Sequence, residues 1–203
     1  SLQMANAYAT FAAHGVYCKP IAIDSITDTD GNSMAVPSAE CTQVMEATAA
    51  DQTTLTLTSV MTSPGTGNTA ALAGGRPSAG KTGTTEKMDN AWFVGFTPSL
   101  SAAVWLGHSE AYSPMDHQVI GGRYYTTMYG SDAPAPLWKM YMDAALSGTP
   151  FESFPQVSLG AQPTPATGAT PAASTGQSSQ QDSPAAGSAQ QTPARSDEDE
   201  SED

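Results

Sequence analysis

Cationic side chains are scarce in this sequence: seven Lys and Arg stand against twenty Asp and Glu, giving a net charge of −13. Binding to nucleic acid needs clustered Lys and Arg to neutralise phosphates, so no nucleic-acid partner is expected. Long hydrophobic runs are missing as well, and a bilayer span needs about 18 apolar residues in a row. Cysteine is limited to Cys18 and Cys41, with no C-x-x-C pair and no zinc-type spacing. The three histidines, His14, His108 and His117, share no spacing suited to a metal either. No metal and no cofactor are therefore expected. A secretory leader is not visible, because Ser1 opens directly into an amphipathic pattern. A chain beginning in mid-pattern reads as part of something longer, so this says little about the parent protein.

What is present divides into two parts. Residues 1–160 hold every Trp, Tyr, Phe and Cys. Residues 161–203 are Pro, Ala, Ser, Thr, Gln and Gly, closing on the acidic run Asp197 to Asp203. A segment without large apolar side chains cannot offset the entropy of ordering its backbone, and it is expected to be a disordered tail. It carries seven acids and one base, Arg195, which leaves thirteen acids and six bases on the body.

Along the body, Leu2, Ala5, Tyr8, Ala9, Phe11 and Ala12 predict a helix that Gly15 stops. Ile21, Ile23 and Ile26 predict a strand to about Thr27, and Asp28-Thr-Asp-Gly-Asn32 a turn into a second short strand at Met34–Val36. Ser38 is placed as the cap of a helix to about Ala50, followed by another from Asp51 to Met61, which Ser63-Pro-Gly-Thr-Gly-Asn68 ends. Residues 79–86, 91–97 and 101–108 then read as three strands of an antiparallel meander, apolar on both faces and so covered on both. Residues 109–132 read as a long loop on a functional rim. A helix from about Pro134 to Leu146 follows, with Leu137, Met140, Tyr141 and Ala144 as its buried stripe.

The segment that carries chemistry is Ala79-Gly-Lys-Thr-Gly-Thr-Thr85. A glycine inside a strand lets something approach the backbone closely. Thr82 and Thr84 share one face with Gly80, while Lys81 projects to the other and needs a twist or bulge to re-aim it. A cation beside two hydroxyls and an unhindered N–H suits a carboxylate and a polarised carbonyl; an edge strand with a solvated lysine is the plain alternative. The run Gly75-Arg-Pro-Ser-Ala-Gly-Lys-Thr82 has the spelling of a phosphate loop, but such a loop opens a helix, whereas here Gly80, Lys81 and Thr82 lie within a predicted strand, so a nucleotide partner is not expected. For Cys18 and Cys41 two readings stand, independent buried thiols or a disulfide closing the 22 residues between them. Trp92 and Trp105 read as core, and Tyr124, Tyr125 and Tyr129 as packing or cleft lining.

A Lys-Thr-Gly triad is among the signatures of penicillin-binding proteins and class A β-lactamases. Here it runs on into Asp89-Asn-Ala-Trp-Phe-Val-Gly-Phe-Thr-Pro98 and Ala103-Val-Trp-Leu-Gly107, preceded by Ser63-Pro-Gly-Thr-Gly67 and followed by Ala135-Pro-Leu-Trp-Lys-Met-Tyr-Met142. Together with the opening helix, residues 1 to about 155 resemble the class A penicillin-binding proteins, the bifunctional peptidoglycan synthases. The resemblance implies an α/β fold, the C-terminal portion of the serine β-lactamase-like transpeptidase fold, with an antiparallel sheet flanked by helices. It implies D,D-transpeptidation on peptidoglycan stem peptides ending in D-Ala-D-Ala, inhibition by β-lactam antibiotics, and work on the extracytoplasmic face of the bacterial plasma membrane. An exported family also favours the Cys18–Cys41 bond.

By the same resemblance Lys81 supplies positive potential and joins the proton-transfer network, and Thr82 and Thr84 bind the terminal carboxylate. The Thr84 N–H forms half of the oxyanion hole, and Gly83 leaves room for the substrate backbone. Two family motifs are missing: no S-x-N occurs, and the one S-x-x-K, Ser78-Ala-Gly-Lys81, reuses the lysine of the triad ahead of a strand. The nucleophile, and any membrane anchor, are expected to precede Ser1, and the chain alone is expected to be inactive. A β-lactam sensor module and a D,D-carboxypeptidase or β-lactamase are the rival readings.

Overall fold

The computed structural model describes residues 1–110 and 112–160; the expectation of a disordered tail at 161–203 lies outside them. Helix α1, Leu2–Ala12, ends as predicted at Gly15, whose φ of +84° suits a residue without Cβ. Beyond it Val16–Tyr17 (β1) pairs antiparallel with Thr42–Gln43 (β4), and Ile26–Thr27 (β2) with Ser33–Met34 (β3). The turn between β2 and β3 is built by Asp28, whose carboxylate accepts the Asp30 N–H at 2.9 Å and the Asn32 N–H at 2.8 Å.

The second short strand lies at Ser33–Met34, not at the expected Met34–Val36, and two further predictions fail in this region. Ile21 and Ile23 lie outside any strand and are exposed, so the expected strand shrinks to Ile26–Thr27. No helix starts at Ser38. The chain there is drawn out beside residues 15–19: Cys18 is disulfide-bonded to Cys41, Lys19 N–H donates to Ala39 O at 2.6 Å, and Val44 N–H donates to Gly15 O at 3.0 Å. Tertiary pairing overrides local helix preference, and the helix α2 runs instead as one piece over Ala47–Thr58, with a 3₁₀ turn at Ser59–Met61.

The principal sheet is the predicted meander, in the order β5 (Ala79–Thr84), β6 (Asn90–Phe96), β7 (Ser101–Gly107). Alternation along β6 sends Ala91, Phe93 and Gly95 to one face and Trp92, Val94 and Phe96 to the other. The helix α3, Pro134–Ala145, covers the first face: the Trp138 ring lies 5.2 Å from Phe93, and its indole N–H donates to the Gly95 and Ala102 carbonyls. α1 covers the second, with Tyr8 6.1 Å from Phe96 and Ser101 Oγ donating to Ala5 O at 2.8 Å. The core thus joins Met61, Leu72, Phe93, Trp138, Met142 and Leu146.

The buried stripe of α3 is Ala135, Trp138 and Met142, not the predicted one: Met140 and Tyr141 are 65% and 56% exposed. Both stripes repeat at helical spacing, and the helix turns the one carrying the large indole inward. Residues 109–132 are also not a plain loop. They hold a hairpin, β8 (Asp116–Ile120) and β9 (Arg123–Thr127), joined by Gly121 and Gly122 at φ +58° and +80°. Two successive positive φ values make a two-residue primed turn, which only glycine-like residues adopt freely. Among the described residues no helix is long and apolar enough to cross a membrane.

Candidate active site

β5 is an edge strand, and its register with β6 runs unbroken from Ala79↔Phe96 to Thr84↔Ala91. Its sequence suits both jobs. Ala79 and Gly80 are buried against the core, where a Cβ on Gly80 would stand 2.9 Å from the Phe93 ring. From Lys81 onward the strand emerges, with Lys81 and Thr84 exposed and Thr82 and Gly83 half-buried.

The hydrogen-bond phase of this strand decides what it offers. Thr85 N–H donates at 3.2 Å to the carbonyl of Asn90, the residue directly opposite it when the register is continued. Antiparallel pairs alternate, so Lys81 and Gly83 turn their backbone groups toward β6, and Thr82 and Thr84 turn theirs away. The Thr84 N–H and the Thr82 carbonyl therefore face the edge. Lys81 confirms the phase, since its Nζ donates to Thr82 O at 2.8 Å and lies 3.4 Å from Thr82 Oγ1. No bulge was needed to bring the ammonium to the threonine side: the flexible side chain wraps around the strand edge.

Gly83 differs from its expected surroundings on one side. A Cβ there would meet Trp92 Cβ at 3.2 Å, so part of the space it leaves is filled from within the sheet. On the opposite side lies the buried Gly130, where a Cβ would stand 2.2 Å from Trp92 O and 2.8 Å from Gly83 O. Gly130 N–H donates to Thr84 Oγ1 at 3.1 Å, and Thr69 Oγ1 donates to Ser131 O at 3.0 Å, which fixes this turn beside the strand. Thr66 Oγ1 lies 3.0 Å from Thr82 Oγ1. Sequence reasoning assigned neither Gly130 nor Thr66 to the site. Gly130 was hidden in a stretch read as loop, and Thr66 in a segment read only as a turn.

Behind the site, the β5–β6 turn is closed by side chains. The Asp89 carboxylate, itself buried, is hydrogen-bonded to the Thr85 hydroxyl and accepts Asn90 Nδ2 at 3.0 Å; Asn90 Oδ1 accepts the Trp105 indole N–H at 2.7 Å. The Thr85 hydroxyl, then the Asn90 amide, hold the Asp89 carboxyl below the usual carboxylate range. Trp92 and Trp105 are half-buried, 6.2 Å apart. Tyr125 packs on the cluster of Ala91, Met115 and Met128, whereas Tyr124 and Tyr129 are exposed. His14 is hydrogen-bonded to Asp51 at 2.7 Å and His117 to the Tyr124 hydroxyl at 2.5 Å.

A Lys-Thr-Gly edge strand on an antiparallel meander, with helices on both faces, is the arrangement expected of a penicillin-recognising fold. Comparison with known proteins agrees. The family described as "Penicillin binding protein transpeptidase domain" matches residues 1–117. Penicillin-binding protein 1A of Mycolicibacterium smegmatis is 40% identical over 162 residues, which make up 76% of this chain and 20% of that protein. Its namesake from Mycobacterium tuberculosis is 39% identical over 163 residues, 76% of this chain and 19% of that one. Among solved structures, the PonA1 protein from Mycobacterium tuberculosis in complex with penicillin V superposes with a TM-score of 0.64 at 36% identity, covering 77% of this chain and 40% of that one. The chain belongs to the penicillin-binding protein transpeptidase family. It spans about a fifth of the length of the curated relatives it matches.

Proposed function

We propose that this chain supplies the carboxylate-binding wall and half of the oxyanion hole of a serine-type D,D-transpeptidase. The observation that carries the proposal is the phase of β5, which turns the Thr84 N–H to the strand edge on the side where Lys81 and Thr82 gather. An extended peptide ending in D-Ala-D-Ala adds along such an edge, main chain to main chain. Its terminal carboxylate, an acceptor only, meets the Thr82 and Thr84 hydroxyls and the Lys81 ammonium. The penultimate carbonyl meets the Thr84 N–H, which stabilises the oxyanion as a serine oxygen bonds to the carbonyl carbon. Collapse of that intermediate breaks the peptide bond, the terminal D-Ala leaves with a proton, and an amine of a second strand takes the acyl group and frees the serine. A β-lactam enters the same reaction by opening its ring amide. The serine comes from outside these residues, since no S-x-N occurs and Ser78 is buried at the start of β5. The reaction takes place on the outer face of the plasma membrane, where stem peptides are.

The test uses the complete transpeptidase domain and a fluorescent penicillin. Lys81→Ala removes the cation and should slow acylation by roughly 10²–10³-fold, the usual loss for one preorganised electrostatic element. Because Lys81 is exposed, the fold should be unaffected. A folded Lys81→Ala domain that acylates normally would end this assignment. The present chain alone should take no covalent label, and stoichiometric labelling of any of its serines would refute an external nucleophile.

A further inference from the structure

Thr66 is exposed, yet its hydroxyl is 3.0 Å from that of Thr82. It is held there by a turn that leaves it little freedom. A Cβ at Gly65 would stand 2.4–2.6 Å from the Val60, Ser59 and Thr62 carbonyl oxygens, so the turn lies flat on the 3₁₀ segment beneath it. Gly67 N–H donates to Val60 O at 2.9 Å, and a Cβ at Gly67 would touch the buried Phe93 ring at 3.0 Å. Thr66 is thus presented to β5 from the core side of the sheet.

We propose that Thr66 is a positioning residue that sets the direction of the Thr82 hydroxyl proton; this rests on the reading of Thr82 as a carboxylate ligand. A hydroxyl has one proton and two lone pairs. Lys81 Nζ, 3.4 Å from Thr82 Oγ1, can only donate. Two arrangements then exist. If Thr82 donates to Thr66, its proton is consumed within the protein. If Thr66 donates to Thr82, the Thr82 oxygen is filled by Lys81 and Thr66, and its proton is free. An arriving carboxylate accepts and never donates, so it selects the second arrangement. Thr84 repeats the device: Gly130 N–H fills one lone pair of its oxygen and leaves its proton for the ligand. Both hydroxyls of the strand are thereby supplied with donors from behind and offer donors in front.

The experiment is a double-mutant cycle in the complete domain, read as second-order acylation by a fluorescent penicillin together with melting temperature. Thr66→Val keeps the branched shape without the hydroxyl and should slow acylation about 3- to 10-fold, the worth of one neutral hydrogen bond. Thr66→Ser should restore most of the rate. The decisive variant is Thr66→Val with Thr82→Val, which should be no slower than Thr82→Val alone, because Thr66 acts only through that oxygen. A rate for Thr66→Val equal to wild type overturns the proposal, as do a failed rescue by serine and full multiplication of the two losses. If Thr82→Val reacts at the wild-type rate, the carboxylate reading itself fails and this inference with it. An impaired Thr82→Val beside a normal Thr66→Val sinks this inference alone.

Discussion

Arg76 is the residue on which the back of the site should depend most. It stands three residues before β5, half-buried, and reaches across to the end of α3. Its guanidinium donates to Pro150 O at 2.8 Å, Thr149 O at 2.8 Å and Leu146 O at 3.0 Å, and its Cζ lies 4.2 Å over the Phe151 ring. Of these acceptors only Leu146, the residue capping α3, belongs to the helix end, where carbonyls lack partners within the helix and carry the negative end of its dipole; Thr149 and Pro150 lie in the chain beyond it. A hydrogen bond to a charged group is worth about 1.5–3 kcal/mol where it is shielded from water. Two of the three bonds here face solvent, so the total is far below three times that figure. Arg76→Ala should destabilise the complete domain by about 2 kcal/mol in urea unfolding. Arg76→Lys keeps the charge but cannot span three carbonyls or lie flat on Phe151, and it should recover about half of the loss. Since Arg76 touches no group of β5 that faces the edge, the folded Arg76→Ala domain should still acylate. A loss below about 0.5 kcal/mol for alanine would show that these bonds do not hold the end of α3, and a lysine variant equal to wild type would show that charge alone suffices without the guanidinium fork.

Gly130→Ala should both destabilise the domain, by roughly 1–3 kcal/mol, and slow acylation, because the new Cβ meets backbone oxygens of β5 and β6 that cannot swing aside; a variant of wild-type melting temperature and rate would contradict this. The Asp89 carboxyl, held low by Thr85 and then Asn90, stabilises the folded state above the ordinary aspartate pKa of about 3.9 and loses that contribution as pH falls through its lower folded value. Asp89→Asn should therefore melt lower than wild type at neutral pH and converge with it under acid, and a melting-temperature gap unchanged from pH 7 to about pH 3 would count against the network.

Much of the fold was legible because period and punctuation agreed. The three-stranded meander was read nearly to the residue, since Trp92 to Phe96 and Ala103 to Leu106 are continuous apolar runs bounded by turn residues. The failures have distinct physical causes. Residues 38–46 carry helix-compatible side chains, yet the Cys18–Cys41 bond and the β1–β4 ladder pull them straight. The β8–β9 hairpin carries a local signal, Gly121-Gly122 between Val119-Ile120 and Tyr124-Tyr125, within a stretch whose glycines and tyrosines otherwise suit a loop. On α3 the stripe of Leu137, Met140, Tyr141 and Ala144 fits helical spacing as well as the one carrying Trp138, and only the sheet beneath, with Gly95 leaving space for Trp138, selects the second.

The candidate site is legible along the strand and illegible across it. Lys81, Thr82, Gly83 and Thr84 are consecutive, so strand alternation alone tells which hydroxyls share a face. On the proposed reading, what makes those hydroxyls donors is supplied from elsewhere in the chain: Thr66 comes sixteen residues before Thr82, and Gly130 forty-six residues after Thr84. Neither has a side-chain chemistry that singles it out, and one contributes only a backbone N–H. A serine or threonine on a strand is ambivalent, able to donate or accept, and cannot by itself prefer an anion to a cation. Filling its lone pairs from behind removes that ambivalence. On this view the two glycine-containing turns at 65–67 and 130 do more than support β5, because they convert a pair of neutral hydroxyls into an anion-selective pair around a single lysine, in a chain whose overall charge is strongly negative.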